Sequence, residues 1–252
     1  MKRIYHKIKN KISSKYWLKF EAQKLEQFKN RHQGEDCFII GNGPSLNKMD
    51  LTLLNDYHTF GLNKIYLIFN RMPVDLSYHV AVNPLVIKQS KEEIKKINCD
   101  SFLSYLPAIE NHLKSDNIYY LGDSKPSKFF YKNIMQGIHQ GYTVTYVAMQ
   151  LAYYMGFKRV FLVGVDHNFT QSGNPNEKQK MSGEDPNHFD PNYFKGQNWQ
   201  LADLENIEVF YLIAQHYFEK NNREIIDATI NGKLKIFKKA DFDDVLKIAK
   251  KK

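Results

Sequence analysis

Cys37-Phe38-Ile39-Ile40-Gly41-Asn42-Gly43-Pro44-Ser45-Leu46 reads as a short buried strand, an abrupt turn and then a helix-compatible stretch. Gly41 and Gly43 remove Cβ atoms where the backbone turns tightly or lets another group come close. Pro44 suits the first position of a helix, and Ser45 is a residue type that bonds free N–H groups there. Strand, glycine turn and helix N-terminus together make a natural anion site, suited to a nucleotide or a phosphorylated sugar donor. The plain alternative is a tight βα turn with no ligand. The turn lacks the Lys-Ser/Thr of a P-loop and the third glycine of a dinucleotide fingerprint, which argues against the usual kinase and dehydrogenase classes.

Outward from this stretch, strand-like and helical runs alternate. Strands are expected at 37–40, 58–62, 78–82, 101–105, 118–121, 159–163 and 224–227. Helical runs are expected at 64–70, 85–97, 143–155, 200–220 and 241–249. This alternation predicts an α/β, Rossmann-like fold: a mostly parallel sheet with helices on both faces. Ligands of such sheets bind beyond the carboxyl ends of the strands. The polar residues placed there are Asn42, Asn63, Asn83 and Asp166. Each reads singly as a turn former; their shared edge makes them candidate ligand contacts. Residues 167–198 are rich in Gly, Asn, Pro, Asp and Ser, with aromatics interspersed, and read as a lid over that edge.

The chain of 252 residues carries a net charge of +9, unevenly placed. Residues 1–33 carry +8, residues 233–252 carry +5, and the middle carries −4. This is not the even basic face of a nucleic-acid binder, and no nucleic-acid partner is expected. The arm 1–33 is set apart from a catalytic domain at 34–252. Ile4, Ile8, Ile12 and Tyr16 recur every four residues, followed by Trp17, Phe20, Leu25 and Phe28. A basic amphipathic helix of this kind reads as an anionic-membrane surface segment, or as a helix packed on the domain. Only Cys37 and Cys99 are present, which fits a reduced compartment and gives no Cys metal site. No run approaches the ~20 apolar residues of a membrane span. The expected location is cytoplasmic, peripheral on the inner face of the membrane if the arm binds there.

His188 is the leading catalytic candidate. It lies in a polar loop beside Asp185 and Asp190, with Tyr193 nearby, where an imidazole can accept a proton from a hydroxyl nucleophile. The alternative is a structural or exposed histidine. Asp166, at the end of the apolar run 159–163, reads as a ribose, hydroxyl or metal ligand, or as a turn residue. Asp166, Glu184, Asp185 and Asp190 could supply oxygens to Mg²⁺ but lack compact metal-site spacing. No Cys–His pair or G-x-S-x-G elbow points to covalent catalysis.

Three pieces occur in a familiar order: Ile39-Ile40-Gly41-Asn42-Gly43-Pro44-Ser45-Leu46, then Val80-Ala81-Val82-Asn83-Pro84, then Gly156 through Gly164-Val165-Asp166, with His188 following. Over roughly residues 36–230 the chain resembles the bacterial sialyltransferases of glycosyltransferase family 42. It resembles still more the related domain family 115, named for 6-hydroxymethylpterin diphosphokinases and found also in flagellin-glycosylating proteins. The first resemblance implies a Rossmann-like enzyme that binds a CMP-sugar with no essential metal or other cofactor. It implies nucleotide contacts at Gly41, Asn42, Gly43, Pro44, Ser45, Asn63 and Asn83, with His188 as general base. Thr143-Val144-Thr145 stands where that family has Thr-Ser-Gly. Asn168 stands where a phosphate-binding tyrosine is expected, and Tyr193 is the substitute. Asp166 completes the set, and a homo-oligomer fits the family's habits.

Three readings follow. The first is an inverting transferase moving an acidic, nonulosonate-type sugar from a CMP-sugar to a cell-surface glycan. The second is a pyrophosphoryl transferase acting on a hydroxymethylpterin with ATP and Mg²⁺. The third is a non-catalytic nucleotide-binding or scaffold protein of an envelope assembly. The basic arm favours the first, because lipid-linked acceptors lie at the membrane. The acidic lid residues favour the second, because ATP chemistry uses Mg²⁺.

Overall fold

A computed structural model describes residues 13–122 and 128–252. Its centre is an eight-stranded sheet, parallel throughout, with helices around it. The strands are β1 (Asp36–Ile40), β2 (His58–Leu62), β3 (Tyr78–Ala81), β4 (Asp100–Ser104), β5 (Ile118–Leu121), β6 (Arg159–Val163), β9 (Glu224–Asp227) and β10 (Lys238–Lys239). Their order across the sheet is β10-β9-β6-β1-β2-β3-β4-β5. β1 is buried along its whole length, and β6 is buried after its first residue. Strands covered on both faces are therefore continuous apolar runs rather than alternating ones.

The order carries the functional consequence. From β1 the chain builds the sheet outward in one direction as far as β5, then returns to place β6 against the other side of β1. Ile40 pairs with Val163, so the carboxyl ends of β1 and β6 lie side by side at the point where the order reverses. An open parallel sheet has its crevice at this point. Gly41–Ser45 and Gly164–Asp166 both leave the sheet there.

Several expected helices differ. The turn after β1 opens a 3-10 helix of five residues, Pro44–Lys48, and a second, Leu51–Leu54, started by the Asp50 side chain. No α-helix follows the turn, so a helix-dipole anion site at Ser45 is not built. The run 85–97 divides into Pro84–Gln89 and Lys91–Ile94 at Ser90. The run 64–70 is a 3-10 turn, Ile65–Ile68. Tyr105, expected to end a strand, instead starts the helix Tyr105–Glu110, whose Pro107 is tolerated in the first turn, where the N–H lacks a partner anyway. The helix Val144–Met155 ends at Gly156 in the left-handed conformation, φ +95°.

The amino-terminal arm is divided. Trp17, Ala22, Leu25 and Phe28 join the hydrophobic core. Trp17 Nε1 donates to the Tyr120 carbonyl at 2.8 Å, and its ring packs on Gly122. Phe28 meets Phe102 and Tyr119 edge-on. Tyr16, Leu18 and Phe20 are exposed. Ile4, Ile8 and Ile12, the other half of the stripe expected to face a membrane, lie outside the described residues.

The segment expected to be an irregular lid contains a small antiparallel hairpin, β7 (Lys178–Lys180) with β8 (Asn198–Gln200). Its loop folds back over the sheet edge, and Phe189 N donates to the Asn42 carbonyl at 2.9 Å. Asn47 Nδ2 and the Arg71 guanidinium both donate to the Phe189 carbonyl, so the lid is held by one backbone bond to the glycine turn and by two side chains beyond it.

Candidate active site

The two turn glycines are set by a strand contact. Gly41 N donates to Val163 O and Gly43 N to Gly164 O, each at 2.8 Å. A Cβ on Gly41 would lie 2.8 Å from the Gly164 carbonyl carbon, and one on Gly43 would lie 2.5 Å from the Asp166 carboxyl carbon. Asp166 accepts the Ser45 N–H at 3.0 Å and the Ser45 hydroxyl at 2.6 Å. Burial pushes the Asp166 carboxyl above its ordinary range, and the Ser45 bonds oppose that shift. Pro44 is half-buried at the start of the short helix. Ser45, expected among the nucleotide contacts, is hydrogen-bonded to the Asp166 carboxylate through both its N–H and its hydroxyl.

Two other residues of the expected set lack partners. The side-chain oxygens of Asn42 and Asn63 are buried with no hydrogen-bond partner. A buried unpaired amide oxygen costs about 1–3 kcal/mol unless something completes it. Both residues line a small chamber of about 130 Å³ with Gly41, Gly43, Thr143, Thr145, Asp166, Asn168 and His188. Asn63 is held in the left-handed conformation, φ +49°. Beneath it, His79 Nε2 bonds the Asn63 carbonyl at 2.8 Å. His79 is wholly buried, which pushes its pKa down to about 4, so the neutral ring donates one N–H to that carbonyl.

Thr143 caps the twelve-residue helix Val144–Met155, accepting the Thr145 N–H. The helix N-terminus opens on the small chamber and on a larger neighbour. The positive end of the peptide dipoles therefore faces the cleft. Thr145 and Tyr211 are buried beside this turn, and Tyr211 lines the small chamber with both threonines. Asn83, on the larger chamber, uses its side-chain oxygen to cap the next helix at Leu85 N, 2.8 Å away. Asn168 is exposed at the mouth of the small chamber.

His188 lines both chambers. Its Nδ1 bonds Asp185 Oδ2 at 2.8 Å, and the Asp185 side chain is fully buried. Asp185 is itself held: Oδ1 accepts Asn187 N at 2.9 Å, and its N–H donates to Pro191 O at 2.8 Å. The His188 ring stacks on Tyr193 at 4.0 Å and 8°, with Phe194 and Trp199 edge-on. With Nδ1 bound to a carboxylate, Nε2 is the nitrogen left for a substrate. A histidine oriented this way is the usual form of a general base.

Tyr193, expected to act beside His188, supports it from below. The residue is 1% exposed, and its hydroxyl accepts the Lys64 N–H at 3.1 Å. Burial pushes the phenol well above its ordinary range. Lys64 was not singled out by sequence. Its buried ammonium donates to Tyr193 O at 2.8 Å and to Gln197 Oε1 at 2.7 Å, and burial lowers its pKa to about 8. A lone lysine between the strand-end Asn63 and the apolar run 65–68 was the available signal.

The larger chamber, of about 600 Å³, runs from Asn63 and Asn83 past His139–Val144 to Phe194 and Trp199–Ala202. Among the described residues neither chamber is lined by a lysine or arginine, and Asp166 is the one carboxylate. Among the described residues the four carboxylates considered for Mg²⁺ do not gather: Asp185 holds His188, Asp166 holds Ser45, Asp190 accepts Asn192 N, and Glu184 is exposed.

A sequence model of the family described as 6-hydroxymethylpterin diphosphokinase MptE-like matches residues 12–172. The matched region holds the glycine turn, Asn63, Asn83, Thr143 and Asp166, and ends before His188. No curated protein matches the chain.

Proposed function

The chain belongs to the 6-hydroxymethylpterin diphosphokinase MptE-like family, and from that premise we propose that it is a transferase moving an acidic, nonulosonate-type sugar from a CMP-linked donor to a surface-glycan hydroxyl. The observation that carries this reading is the Asp185–His188 pair, presented between two chambers at the strand switch point. His188 Nε2 takes the proton of the acceptor hydroxyl. The acceptor oxygen attacks the anomeric carbon from the face opposite the phosphate. The bond from that carbon to the phosphate oxygen breaks, and CMP leaves with the electron pair.

The lining also bears on the choice of donor. A triphosphate with its cation calls for Lys, Arg or clustered carboxylates. A single phosphate at a helix N-terminus, with amides and hydroxyls around it, calls for neither. The unpaired Asn42 and Asn63 oxygens are acceptors suited to nucleotide amino or hydroxyl groups. The small chamber would hold part of the donor and the larger one the acceptor.

Calorimetry with CMP and ATP, each with and without Mg²⁺, tests the donor class. CMP is expected to bind without Mg²⁺, and His188→Gln is expected to lower sugar transfer by about 10²–10⁴-fold with CMP affinity unchanged. Binding of ATP with Mg²⁺ but not of CMP would put diphosphoryl transfer in its place. Binding of neither would leave the assembly-protein reading.

A further inference from the structure

At the opposite end of the sheet from the cleft, His32, Glu35 and His58 converge. We propose that these three residues form a binding site for a divalent transition-metal cation of the zinc class. The three ligand atoms lie within 4.8 Å of one another. His32 Nδ1 and His58 Nε2 approach the same Glu35 oxygen, at 2.7 and 2.9 Å.

The donor set selects the class of ion. Two imidazole nitrogens and one carboxylate, with a fourth position open, suit tetrahedral Zn²⁺ rather than the all-oxygen shells of Mg²⁺ or Ca²⁺. Ligand atoms around tetrahedral Zn²⁺ stand about 3.4 Å apart, so the two His–Glu contacts must widen by roughly half an ångström. Glu35 supplies that movement, because its side chain is 45% exposed. The same exposure leaves room for a water as fourth ligand.

The histidines are fixed before any ion arrives. Asn30, His32 and Gly34 donate backbone N–H groups to Tyr154, Met155 and Gly156, clasping this segment to the end of a long helix. His32 stacks on Phe157 at 4.6 Å and 15°, and the two imidazoles lie 4.1 Å apart. His32 Nε2 meets the Tyr78 hydroxyl at 2.6 Å, the outer contact that orients a metal-binding imidazole. Burial lowers the pKa of both histidines, which favours the neutral rings a metal needs. Arg31 and Lys252 are the cationic neighbours, set against the Glu35 charge. They disfavour a hard ion held by charge alone more than one held by nitrogen coordination.

The site lies at the amino ends of β1 and β2, about 17 Å, one strand length, from their carboxyl ends. A bound ion would join the residues preceding β1 to the start of β2 and would take no part in the chemistry at His188. Without an ion, the same three groups form a hydrogen-bonded clasp, which is the competing account.

Chelator-treated full-length protein titrated with Zn²⁺ by calorimetry decides between them, with Co²⁺ absorption as a second readout. One saturable equivalent is expected, with the visible bands of four-coordinate Co²⁺. Glu35→Gln keeps a hydrogen-bonding side chain at a half-exposed position while removing the anionic ligand. It is expected to weaken that equivalent by about 100-fold, and His58→Gln by at least as much. Absence of a saturable equivalent in the parent would overturn the proposal. So would an affinity that Glu35→Gln leaves unchanged, whether or not His58→Gln folds.

Discussion

Replacing Gly43 by alanine asks whether the glycine turn serves the strand contact. A Cβ there would lie 2.5 Å from the Asp166 carboxyl carbon and 2.9 Å from the Gly164 carbonyl oxygen. The Asp166 side chain would have to leave, breaking its bonds of 3.0 and 2.6 Å to Ser45. A hydrogen bond to a charged group contributes about 1.5–3 kcal/mol net, and the displaced carboxylate regains water, so the expected cost is about 3 kcal/mol. For a chain of this length that lowers Tm by roughly 6–12 °C. Asp166→Ala alone removes the same two bonds and is expected to cost about 2–3 kcal/mol. In the double variant the new methyl group meets no carboxylate and keeps only the 2.9 Å contact with the Gly164 carbonyl oxygen, an overpacking of about 1–2 kcal/mol, so the coupling with Asp166 is about 1–2 kcal/mol. Urea unfolding of the four proteins measures this cycle. Additive costs would refute the reasoning, because the clash would then not be with Asp166. Gly41→Ala is the internal control: its clash is with the Gly164 backbone, which no side-chain deletion relieves.

Asp185→Asn is expected to lower sugar transfer by about 10²-fold or more while leaving CMP affinity unchanged, since the carboxylate orients His188 without lining either chamber; an unaltered kcat would remove Asp185 from the mechanism. The Lys64 pKa is lowered to about 8 from 10.5, so between those values the unfolded chain holds the extra proton and stability rises with pH. Lys64→Met should abolish this rise in denaturant titrations above pH 8, and its persistence would place the effect elsewhere. Trp17→Ala is expected to cost about 3–5 kcal/mol, as for other buried aromatics, and near-parental stability would show that the arm is not part of the core.

Much of the fold was legible because its signals are local. The boundaries of β2, β5, β6 and β9 match their apolar runs, and a buried parallel strand is such a run. β7, β8 and β10 were not legible: they are short and polar, and their pairing is decided by where the lid and the chain end fold. The break at Ser90 has the same character, since Leu85–Ile97 keeps a helical pattern across it. Trp17, Leu25 and Phe28 show the limit from the other side. An apolar stripe beside a basic face has one appearance whether it meets lipid or its own sheet, and only the Tyr120, Phe102 and Tyr119 contacts separate the two.

The site divides along the same line. Asp185 was readable as the partner of His188 because the two are three residues apart. Ser45 and Asp166 are 121 residues apart and satisfy each other, whereas Asn42 and Asn63 hold oxygens that nothing satisfies. In the sequence all four are polar residues near strand ends, equally suited to a turn, a clasp or a ligand. What separates them is the account of donors and acceptors, because a buried polar group without a partner costs free energy until one arrives. By that account the glycine turn is a clasp between β1 and β6. The unfilled demand lies at Asn42 and Asn63, which line the same small chamber as His188. A ligand that completed both amides would share that chamber with His188, as the proposed transfer between two bound molecules requires.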